Sequence, residues 1–291
     1  MSGSSRPRSL DYDLWSIGIA TGASPFALQS SAGLRNPVLA AADVSDAEAL
    51  YVADPFMLFD GLCWHMFFEV LEADRGLGAI AHALSSGGSA WQYQRIVLRE
   101  VYHLSYPHVF TWDGDYWMIP ETLGAHAVCL YRGAPFPERW TLAAELLPLR
   151  VADPTIFHVE GRWWMFACTT PRHHDTLALY WAGELTGPWR EHPESPIVIH
   201  DAHRARPGGR VLVDREQPVR FAQDCVPSYG REVRAFEILE LTPARYRERE
   251  IAESPILSPD GEGWRGAGMH HIDLHRCGER GWIACVDGRR S

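Results

Sequence analysis

The sequence predicts an all-β protein, a five-bladed β-propeller that spans residues 1–291 as a single domain, and three observations support this fold. A strand–turn–strand pattern recurs about every 50 residues along the chain. Two further apolar runs follow each of the first four copies, which makes four strands per repeat, as in a propeller blade. No segment has helical periodicity over more than a turn or two.

Three copies of the repeat share one form. Each opens with a dipeptide that ends in proline, continues as an apolar strand, turns at an acidic residue followed by glycine, and returns as an aromatic-rich strand. Such a turn between apolar runs indicates a hairpin, and proline suits the first position of a strand, where no ladder donor is needed. The openings are Asp54-Pro55, Tyr106-Pro107 and Asp153-Pro154, and the turns are Asp60-Gly61, Asp113-Gly114 and Glu160-Gly161.

The fourth copy is looser. It opens at Arg206-Pro207, continues as a strand over Arg210–Val213, turns near Asp214–Gln217 and returns over Val219–Ala222. Two more strand-like runs follow it, so this copy still predicts a blade.

The fifth copy opens at His270 and has only two strands. The missing pair is expected from the N-terminus, where the runs Trp15–Ala20 and Phe26–Gln29 resemble the outer strands of the other blades. Residues 12–32 are therefore predicted to complete blade five, which closes the ring and hides the edges of its sheets.

The composition excludes several classes of function. The chain has 27 basic and 37 acidic residues and a formal net charge of −10, which argues against a nucleic-acid-binding protein. It contains no lysine, so neither a Schiff-base lysine nor a P-loop is available. No apolar run approaches the ~18 residues of a membrane span.

The cysteines and the N-terminus predict the location of the protein. The six cysteines form no Cys-x-x-Cys pair, and most lie in apolar runs, which indicates buried reduced thiols rather than a zinc site. Met1–Ser9 is polar and lacks the apolar core of a secretory signal. We therefore expect a cytoplasmic protein.

Side chains at one end of the ring form the candidate site. The first strand of each blade lines the central channel, and its antiparallel neighbour ends where the first strand began. Strand starts contribute Asp54, His108, Asp153, Arg206, His270 and His271, and the ends of second strands contribute Glu69, Glu121, Asp224 and Asp287. Like charges held together raise at least one pKa, which suits a general acid. The alternative for Asp54 and Asp153 is a local turn cap.

Three arginines near blade four suggest the charge of a substrate. Arginine binds carboxylate or phosphate groups at two points, so Arg204, Arg206 and Arg210 predict an anionic substrate such as a sugar nucleotide, a sugar phosphate or a uronate. The alternative is that these arginines neutralise the neighbouring acids.

The sequence predicts no cofactor and no multi-ligand metal site. His271, Asp273 and His275 alternate along one strand, so they rise along its face rather than converge on a point. A Ca²⁺ ion in the central channel, held by one histidine and waters, is the alternative that we retain.

Several motifs resemble a known family over nearly the whole chain. They are Ala53-Asp54-Pro55-Phe56, Phe67-Phe68-Glu69, His103-Leu104-Ser105-Tyr106-Pro107, Ile119-Pro120-Glu121-Thr122, Arg206-Pro207-Gly208-Gly209, Ala222-Gln223-Asp224-Cys225 and Gly268-Met269-His270-His271-Ile272-Asp273. Together they are similar to the N-terminal domain of plant glucosamine inositolphosphorylceramide transferase and its stand-alone bacterial relatives. The resemblance implies that transfer activity resides in a separate C-terminal domain of the plant proteins, so the activity of the propeller stays open.

A more distant resemblance is to the five-bladed propeller glycosidases of the arabinanase and xylosidase type. It rests on Ala53-Asp54-Pro55, Tyr106-Pro107-His108, Ala152-Asp153-Pro154 and Gly266-Ala267-Gly268-Met269-His270. The resemblance implies that Asp54 is the general base and that Asp153 tunes and orients the general acid. It also implies that His270 or His271 lies at the channel centre.

Blade four departs from the glycosidase pattern. Those enzymes place a glutamate near its opening, where this chain has Arg206. Arginine is always protonated at working pH, so Glu121 is our candidate proton donor, with Glu69 next.

Three hypotheses for the function follow. The first is a carbohydrate-active enzyme at a glycosidic bond, either a hydrolase or a glycosyl-transferring relative, because paired carboxylates suit an oxocarbenium-like transition state. The second is a non-catalytic sugar-binding propeller. The third is a different biosynthetic reaction on the same scaffold.

Overall fold

Five four-stranded antiparallel sheets form the protein, in the arrangement of a five-bladed β-propeller. The computed structural model describes residues 15–29, 34–214, 217–278 and 281–291. Within these residues the helical content is three 3₁₀ turns, at Ala41–Asp43, Leu123–Ala125 and Gly263–Arg265, and no helix is long and apolar enough to cross a membrane. The predicted fold class is confirmed.

The strands follow the chain in order, starting with two that belong to blade five: β1 (Trp15–Ser24) and β2 (Ala27–Gln29). Blade one contains β3 (Ala49–Phe59), β4 (Trp64–Glu72), β5 (Leu77–Ser85) and β6 (Gln92–Leu98). Blade two contains β7 (Ser105–Trp112), β8 (Asp115–Glu121), β9 (Val128–Gly133) and β10 (Trp140–Leu147). Blade three contains β11 (Ala152–Val159), β12 (Arg162–Cys168), β13 (Leu177–Ala182) and β14 (Arg190–Glu191). Blade four contains β15 (Arg206–Pro207), β16 (Val219–Asp224), β17 (Glu232–Leu241) and β18 (Tyr246–Glu250). Blade five adds β19 (Ile272–Cys277) and β20 (Gly281–Arg289).

N-terminal strands close the ring, as the sequence predicts. The order in blade five is β19-β20-β1-β2, and β1 pairs with β20 from Trp15 opposite Arg289 to Gly22 opposite Trp282. The pairing gives β20 a partner on each side, so it is not an edge strand. Residues 12–14 and 30–32 of the predicted segment lie outside the described residues.

Blades one, two and three share a β-bulge at the dipeptide that ends in proline. In each blade two residues of the inner strand oppose one residue of its neighbour, and the first of the two has a left-handed backbone. These first residues are Asp54 (φ 52°), Tyr106 (φ 48°) and Asp153 (φ 49°). The strands begin earlier than predicted, at Ala49, Ser105 and Ala152, because proline is also tolerated at a bulge, where its missing N–H breaks no ladder bond.

The inner edge of blade four differs from the prediction. Its strand β15 has only two residues, and the expected strand over Arg210–Val213 is reduced to one bridge between Leu212 and Val219. Gly209 instead bridges to Ile272 of blade five. A Cβ at Gly209 would lie 1.7 Å from the Ile272 carbonyl oxygen, so only glycine allows this approach. Residues 215–216 of the predicted turn lie outside the described residues.

The core consists of five apolar clusters, one between each pair of neighbouring blades. Trp64 lies between blades five and one, and Trp163 lies between blades two and three. All six cysteines are free thiols. Through the five clusters, every blade buries both of its faces against its neighbours.

Candidate functional site

Five carboxyl groups gather at the end of the channel where the inner strands begin. This acidic cluster consists of Asp54, Glu69, Glu121, Asp153 and Asp287, and each residue is at most 5% exposed. The bulges explain how Asp54 and Asp153 come to lie in one cluster, since a bulge re-aims a side chain that strand alternation would direct elsewhere. Left-handed backbone costs ~1–3 kcal/mol at a non-glycine residue and tends to occur at functional sites.

Glu121 and Asp153 form one half of the cluster, together with Arg206. The Asp153 backbone N–H donates to Glu121 Oε2 at 3.1 Å. Arg206 Nε donates to Asp153 Oδ2 at 2.6 Å, and its Nη2 lies 3.5 Å from Glu121 Oε2. Asp153 thus orients Glu121 through its backbone and is itself held by the guanidinium.

The surroundings of Glu121 favour its protonated form. Burial and the neighbouring charge of Asp153 raise the pKa of Glu121 to about 8, although Arg206 acts in the opposite direction. A carboxylic acid with a pKa in this range is suited to donate a proton.

Asp54, His270 and Asp287 form the other half. Nδ1 of His270 lies 2.7 Å from Asp287 Oδ2, but the geometry of this contact is not that of a hydrogen bond. Nε2 of His270 lies 3.6 Å from Asp54 Oδ1. Asp287 also accepts hydrogen bonds from the backbone N–H groups of Asp54, His270 and His271, each at 3.1 Å. The imidazole of His270 therefore lies between two carboxyl groups.

The charges in this half are coupled. Burial and the neighbouring carboxylates raise the pKa of Asp54 well above its ordinary value, while His270 opposes them. Although burial alone would lower it, Asp287 and Asp54 raise the pKa of His270 to about 9. Burial lowers the pKa of His271 to about 4. At neutral pH, therefore, His270 is protonated, His271 is neutral, and Asp54 holds its proton more tightly than an ordinary aspartate does.

Asp54, His270 and Asp287 also have the spacing of metal ligands, since each offers one atom within 4.8 Å of the others. Ca²⁺ prefers many oxygen ligands, whereas two carboxylates and an imidazole are closer to a Zn²⁺ or Mn²⁺ donor set. A protonated His270 would have to lose its proton before binding any metal.

Glu69 lies at the rim of the cluster. Tyr51 Oη donates to Glu69 Oε1 at 3.1 Å, and Nε2 of His103 lies 3.1 Å from the same oxygen. The Gly78 N–H donates to Nδ1 of His103. Although burial acts in the opposite direction, Glu69 raises the pKa of His103 to about 9, and in both its neutral and its protonated form this imidazole points an Nε2 proton to Glu69. With this oxygen already bonded twice, Glu69 is less available than Glu121 as a proton donor.

The structure separates the three arginines that the sequence groups together. Arg206 lies in the acidic cluster. Arg204 donates to Asp201 at 2.7 Å and lies 3.7 Å from Glu248 in the outer part of blade four. Arg210 lies deeper in the channel and donates to Asp273 at 2.6 Å. Each arginine neutralises a different acid, and the described residues do not show them as one cluster.

Two other predicted residues lie away from the acidic cluster. His108 is deep in the channel, stacked on Phe56 with ring centroids 4.9 Å apart. Asp224 pairs with Arg234 and His203 on the outer side of blade four. Gln223, rather than Asp224, faces the channel. The pairing of β15 with β16 has no bulge, so Arg206 lies directly opposite Gln223. Relative to the bulged blades the register differs by one residue, and such a shift exchanges the two faces of a strand.

Three residues around Arg206 are not among the site residues that the sequence predicts. Gln223 Nε2 donates to Asp153 Oδ2 at 2.8 Å. Nδ1 of His174 lies 2.9 Å from Arg206 Nη1, and the Tyr229 ring lies 5.0 Å from the guanidinium carbon. Gln223 could have been predicted, because it is adjacent to Asp224 at the end of a second strand. His174 and Tyr229 lie on loops, where the repeat gives no alignment with the other blades.

The chain matches relatives along nearly its full length. The family model described as "Glucosamine inositolphosphorylceramide transferase 1, N-terminal" matches residues 10–289. The glucosamine inositolphosphorylceramide transferase 1 of Oryza sativa subsp. japonica is 33% identical over 297 residues, which cover 95% of this chain and 40% of that protein. The Arabidopsis thaliana protein of the same name is 31% identical over 299 residues, covering 95% of this chain and 39% of its own length. The chain thus spans about two fifths of these plant relatives.

Solved structures with low sequence identity share the fold. An exo-β-1,3-galactanase from Clostridium thermocellum has a TM-score of 0.61 at 13% identity and covers 76% of this chain and 55% of its own. A β-xylosidase, RS223, has a TM-score of 0.56 at 13% identity, covering 72% of this chain and 77% of its own. These similarities establish the propeller, and the family match goes further: the chain belongs to the family of the N-terminal domain of glucosamine inositolphosphorylceramide transferase 1.

Proposed function

We propose that this protein is a carbohydrate-active enzyme that acts at a glycosidic bond, with Glu121 as the proton donor and Asp54 as its carboxylate partner. Two kinds of relatives support a carbohydrate substrate: the plant proteins are named glucosamine inositolphosphorylceramide transferases, and the solved propellers include glycoside hydrolases. The observation that carries the proposal is the state of Glu121, a buried acid with a pKa of about 8 held in place by Asp153.

The first step is proton donation to the leaving oxygen. Glu121 keeps its proton up to about pH 8 because burial and Asp153 disfavour its ionised form. As the glycosidic bond breaks, the proton moves to the leaving oxygen and Glu121 becomes an anion. Arg206 Nη2, 3.5 Å from its carboxylate, then stabilises the charge that develops.

Asp54 acts on the opposite side of the bond. Its Oδ1 is buried and has no hydrogen-bond partner among the described residues, so we assign to it the proton of a water or an acceptor hydroxyl that binds inside the cluster. His270 lies 3.6 Å away and carries a positive charge at neutral pH. It therefore offsets part of the burial that raises the pKa of Asp54, and to that extent favours the ionised form that a general base requires. Asp287 holds His270 in this position.

The geometry supports a neutral glycan over the anionic substrate that the sequence suggests. Arg206 is the arginine of the cluster, and each of its three side-chain nitrogens already contacts a protein group. An anionic group on the substrate would have to compete with Asp153 for the guanidinium. We therefore propose a neutral sugar at this site, and a clear preference for a uronide or a sugar phosphate would contradict that part of the proposal.

Two further parts of the proposal concern cofactor and location. We propose that the reaction needs no cofactor, because protonated His270 supplies a positive charge between Asp54 and Asp287; the Ca²⁺ alternative stays a prediction. We also propose a cytoplasmic location, with which six free cysteines are compatible.

The test compares isosteric variants in one assay. The purified chain is incubated with nitrophenyl β-galactoside, β-xyloside and β-glucuronide, and with UDP-sugars plus alcohol acceptors. Glu121→Gln and Asp54→Asn each keep the shape and remove the acid, so we expect turnover to fall by about 10²–10⁴-fold, as for loss of a general acid or base. Asp54→Asn should keep the free energy of unfolding within ~1 kcal/mol, since asparagine tolerates a left-handed backbone.

Glu145→Gln is the matched control, because it removes an exposed carboxyl group from the same blade as Glu121. It should leave turnover unchanged. Binding of the sugars without any turnover by the wild type would replace the enzyme with a non-catalytic sugar-binding propeller. Equal turnover by wild type and Glu121→Gln would remove Glu121 from the mechanism.

A further inference from the structure

The opposite mouth of the channel, where the inner strands end, contains a cavity of about 380 Å³. We call it the far-mouth cavity. It is lined by five aromatic rings from three blades together with seven polar side chains. The aromatic residues are Phe110, Trp112, Phe157, Trp163 and Trp282, and the polar ones include His158, Asp214, His275 and Arg276.

The cavity lies beside the irregular inner edge of blade four. Strand β15 stops after Pro207, and Gly209 bridges to Ile272 of blade five instead of extending its own sheet. Residues 210–214 then form one wall of the cavity. The cavity therefore lies where the inner edge of blade four departs from the repeat.

A buried layer separates the far-mouth cavity from the acidic cluster. Tyr106 Oη bonds to Thr155 Oγ1 at 2.7 Å and accepts from the Gly209 N–H at 2.8 Å. Phe56 stacks on His108 in the same layer. A ligand in the far-mouth cavity would therefore not reach Asp54 or Glu121, and any site there is distinct from the proposed reaction site.

The charged groups of the cavity are already paired. Arg276 Nη2 donates to Asp214 at 2.5 Å, and its guanidinium carbon lies 4.6 Å from the centre of the Trp282 ring. Arg210 is bound to Asp273. Burial lowers the pKa of His158 below its ordinary value, so this imidazole is neutral at pH 7. The walls present hydrogen-bonding edges without an uncompensated charge.

Trp112 is the exposed aromatic group of the wall. Its side chain is 37% exposed, although it packs edge-on against Trp163 at 4.7 Å and lies 4.6 Å from the His158 ring. These neighbours hold the indole in one orientation, and its open part borders the cavity. A rigid, partly exposed aromatic ring offers a large contact area at low entropic cost.

We propose that the far-mouth cavity is a second binding site, which takes a neutral sugar ring. A pyranose has an apolar C–H face and polar edges, which matches an indole wall beside neutral hydrogen-bonding groups. Trp112 contacts the apolar face, and Asp214, Arg276 and His158 bond to the hydroxyl groups. The volume lies in the range of small-molecule sites, roughly 300–1,000 Å³. A phosphate or carboxylate would have to displace Asp214 from Arg276, so a charged ligand is disfavoured.

Calorimetry and saturation-transfer NMR test the proposal on the full chain. The probes are galactose, xylose, galactobiose and xylobiose, with glucuronic acid and glucose 1-phosphate as charged counterparts. Trp112→Ala should weaken binding of the neutral probes by about tenfold or more, as for loss of one anchoring aromatic side chain. Trp181→Ala is the matched control, because it removes a half-buried indole that contacts Arg190 outside the cavity.

Two further variants separate this site from the acidic cluster and from a folding defect. Glu121→Gln should leave the Trp112-dependent binding unchanged, even if the proposed reaction is wrong. Trp112→Phe keeps an aromatic wall and should retain part of the affinity if Trp112→Ala fails to fold. Absence of binding by all neutral probes, binding that Trp112→Ala leaves intact, or tighter binding of the charged probes would each overturn the proposal.

Discussion

The two mouths of the channel are built from opposite ends of the same inner strands, yet their chemistry differs. At the mouth where these strands begin, five carboxyl groups are packed together at no more than 5% exposure, with Arg206 and His270 among them. At the mouth where they end, a cavity with aromatic walls has paired and exposed charges. The fold thus provides a possible site at each end of the channel, and the local sequence determines the chemistry of each site.

Backbone geometry is part of this difference. The inner strands of blades one to three start with a bulge whose first residue is left-handed, whereas β7 and β11 run regularly to their ends at the far-mouth cavity. Bulges turn charged side chains toward each other, and regular alternation leaves aromatic rings along one face. The charged mouth is therefore the more strained and the more tightly coupled of the two.

The largest effect is expected from breaking the ring that both mouths share. Ile17 of β1 is fully buried between blades five and one, so Ile17→Asp places an unpaired charge in the core. We expect loss of the cooperative thermal transition. Ile199→Asp is the matched control at a position that is 55% exposed, and it should change the free energy of unfolding by no more than ~0.5 kcal/mol. Equal melting of both variants would show that β1 is not needed for closure.

An intermediate effect is expected from removing one arginine at each mouth. Arg206→Ala leaves Asp153 and Glu121 buried without their cation and should cost about 3–5 kcal/mol of stability. Arg276 pairs with Asp214 at a partly exposed site, with side-chain exposures of 41% and 31%, so Arg276→Ala should cost no more than ~1 kcal/mol. Urea unfolding measures both. Similar costs would mean that the two mouths are equally solvated.

The smallest effect concerns pH and Glu121. Its pKa in the folded state, about 8, lies above the ordinary value of 4.5. The unfolded chain therefore loses this proton first as pH rises, and the stability due to protonated Glu121 declines between pH 4.5 and about 8. Glu121→Gln should remove this decline. The melting temperature of the variant, relative to that of the wild type, should therefore increase as the pH rises from 4.5 to about 8.

Turnover should follow the same group, falling above about pH 8 as Glu121 ionises. A melting difference that is flat with pH would show that Glu121 titrates normally. Asp214→Asn serves as the control, since it removes a partly exposed carboxyl group from the far-mouth cavity.

Much of the architecture was predictable from the repeats. The spacing of the proline dipeptides predicts five blades, and the missing strands of the fifth copy predict closure by the N-terminus, which the order β19-β20-β1-β2 confirms. Antiparallel pairing also predicts that Asp54, Glu121 and Asp153 share one mouth, because strand starts and neighbouring strand ends must meet there. The structure brings these three residues into one buried network.

Other features were decided by the tertiary structure. The bulges depend on how each inner strand fits its neighbour, so the same dipeptides that suggest strand openings lie within β3, β7 and β11. Arg204, Arg206 and Arg210 lie in different places because β15 ends early and the chain crosses to blade five at Gly209.

The sequence by itself thus determined the number of blades, the closure of the ring and the mouth at which the carboxyl groups gather, since these follow from the period and direction of the strands. The partner of each charge was decided only by the tertiary structure. Gln223 rather than Asp224 faces the channel, and His174 and Tyr229 reach Arg206 from loops. The physical reason is that side-chain contacts depend on one-residue shifts in register and on loop paths, to which a periodic pattern is insensitive.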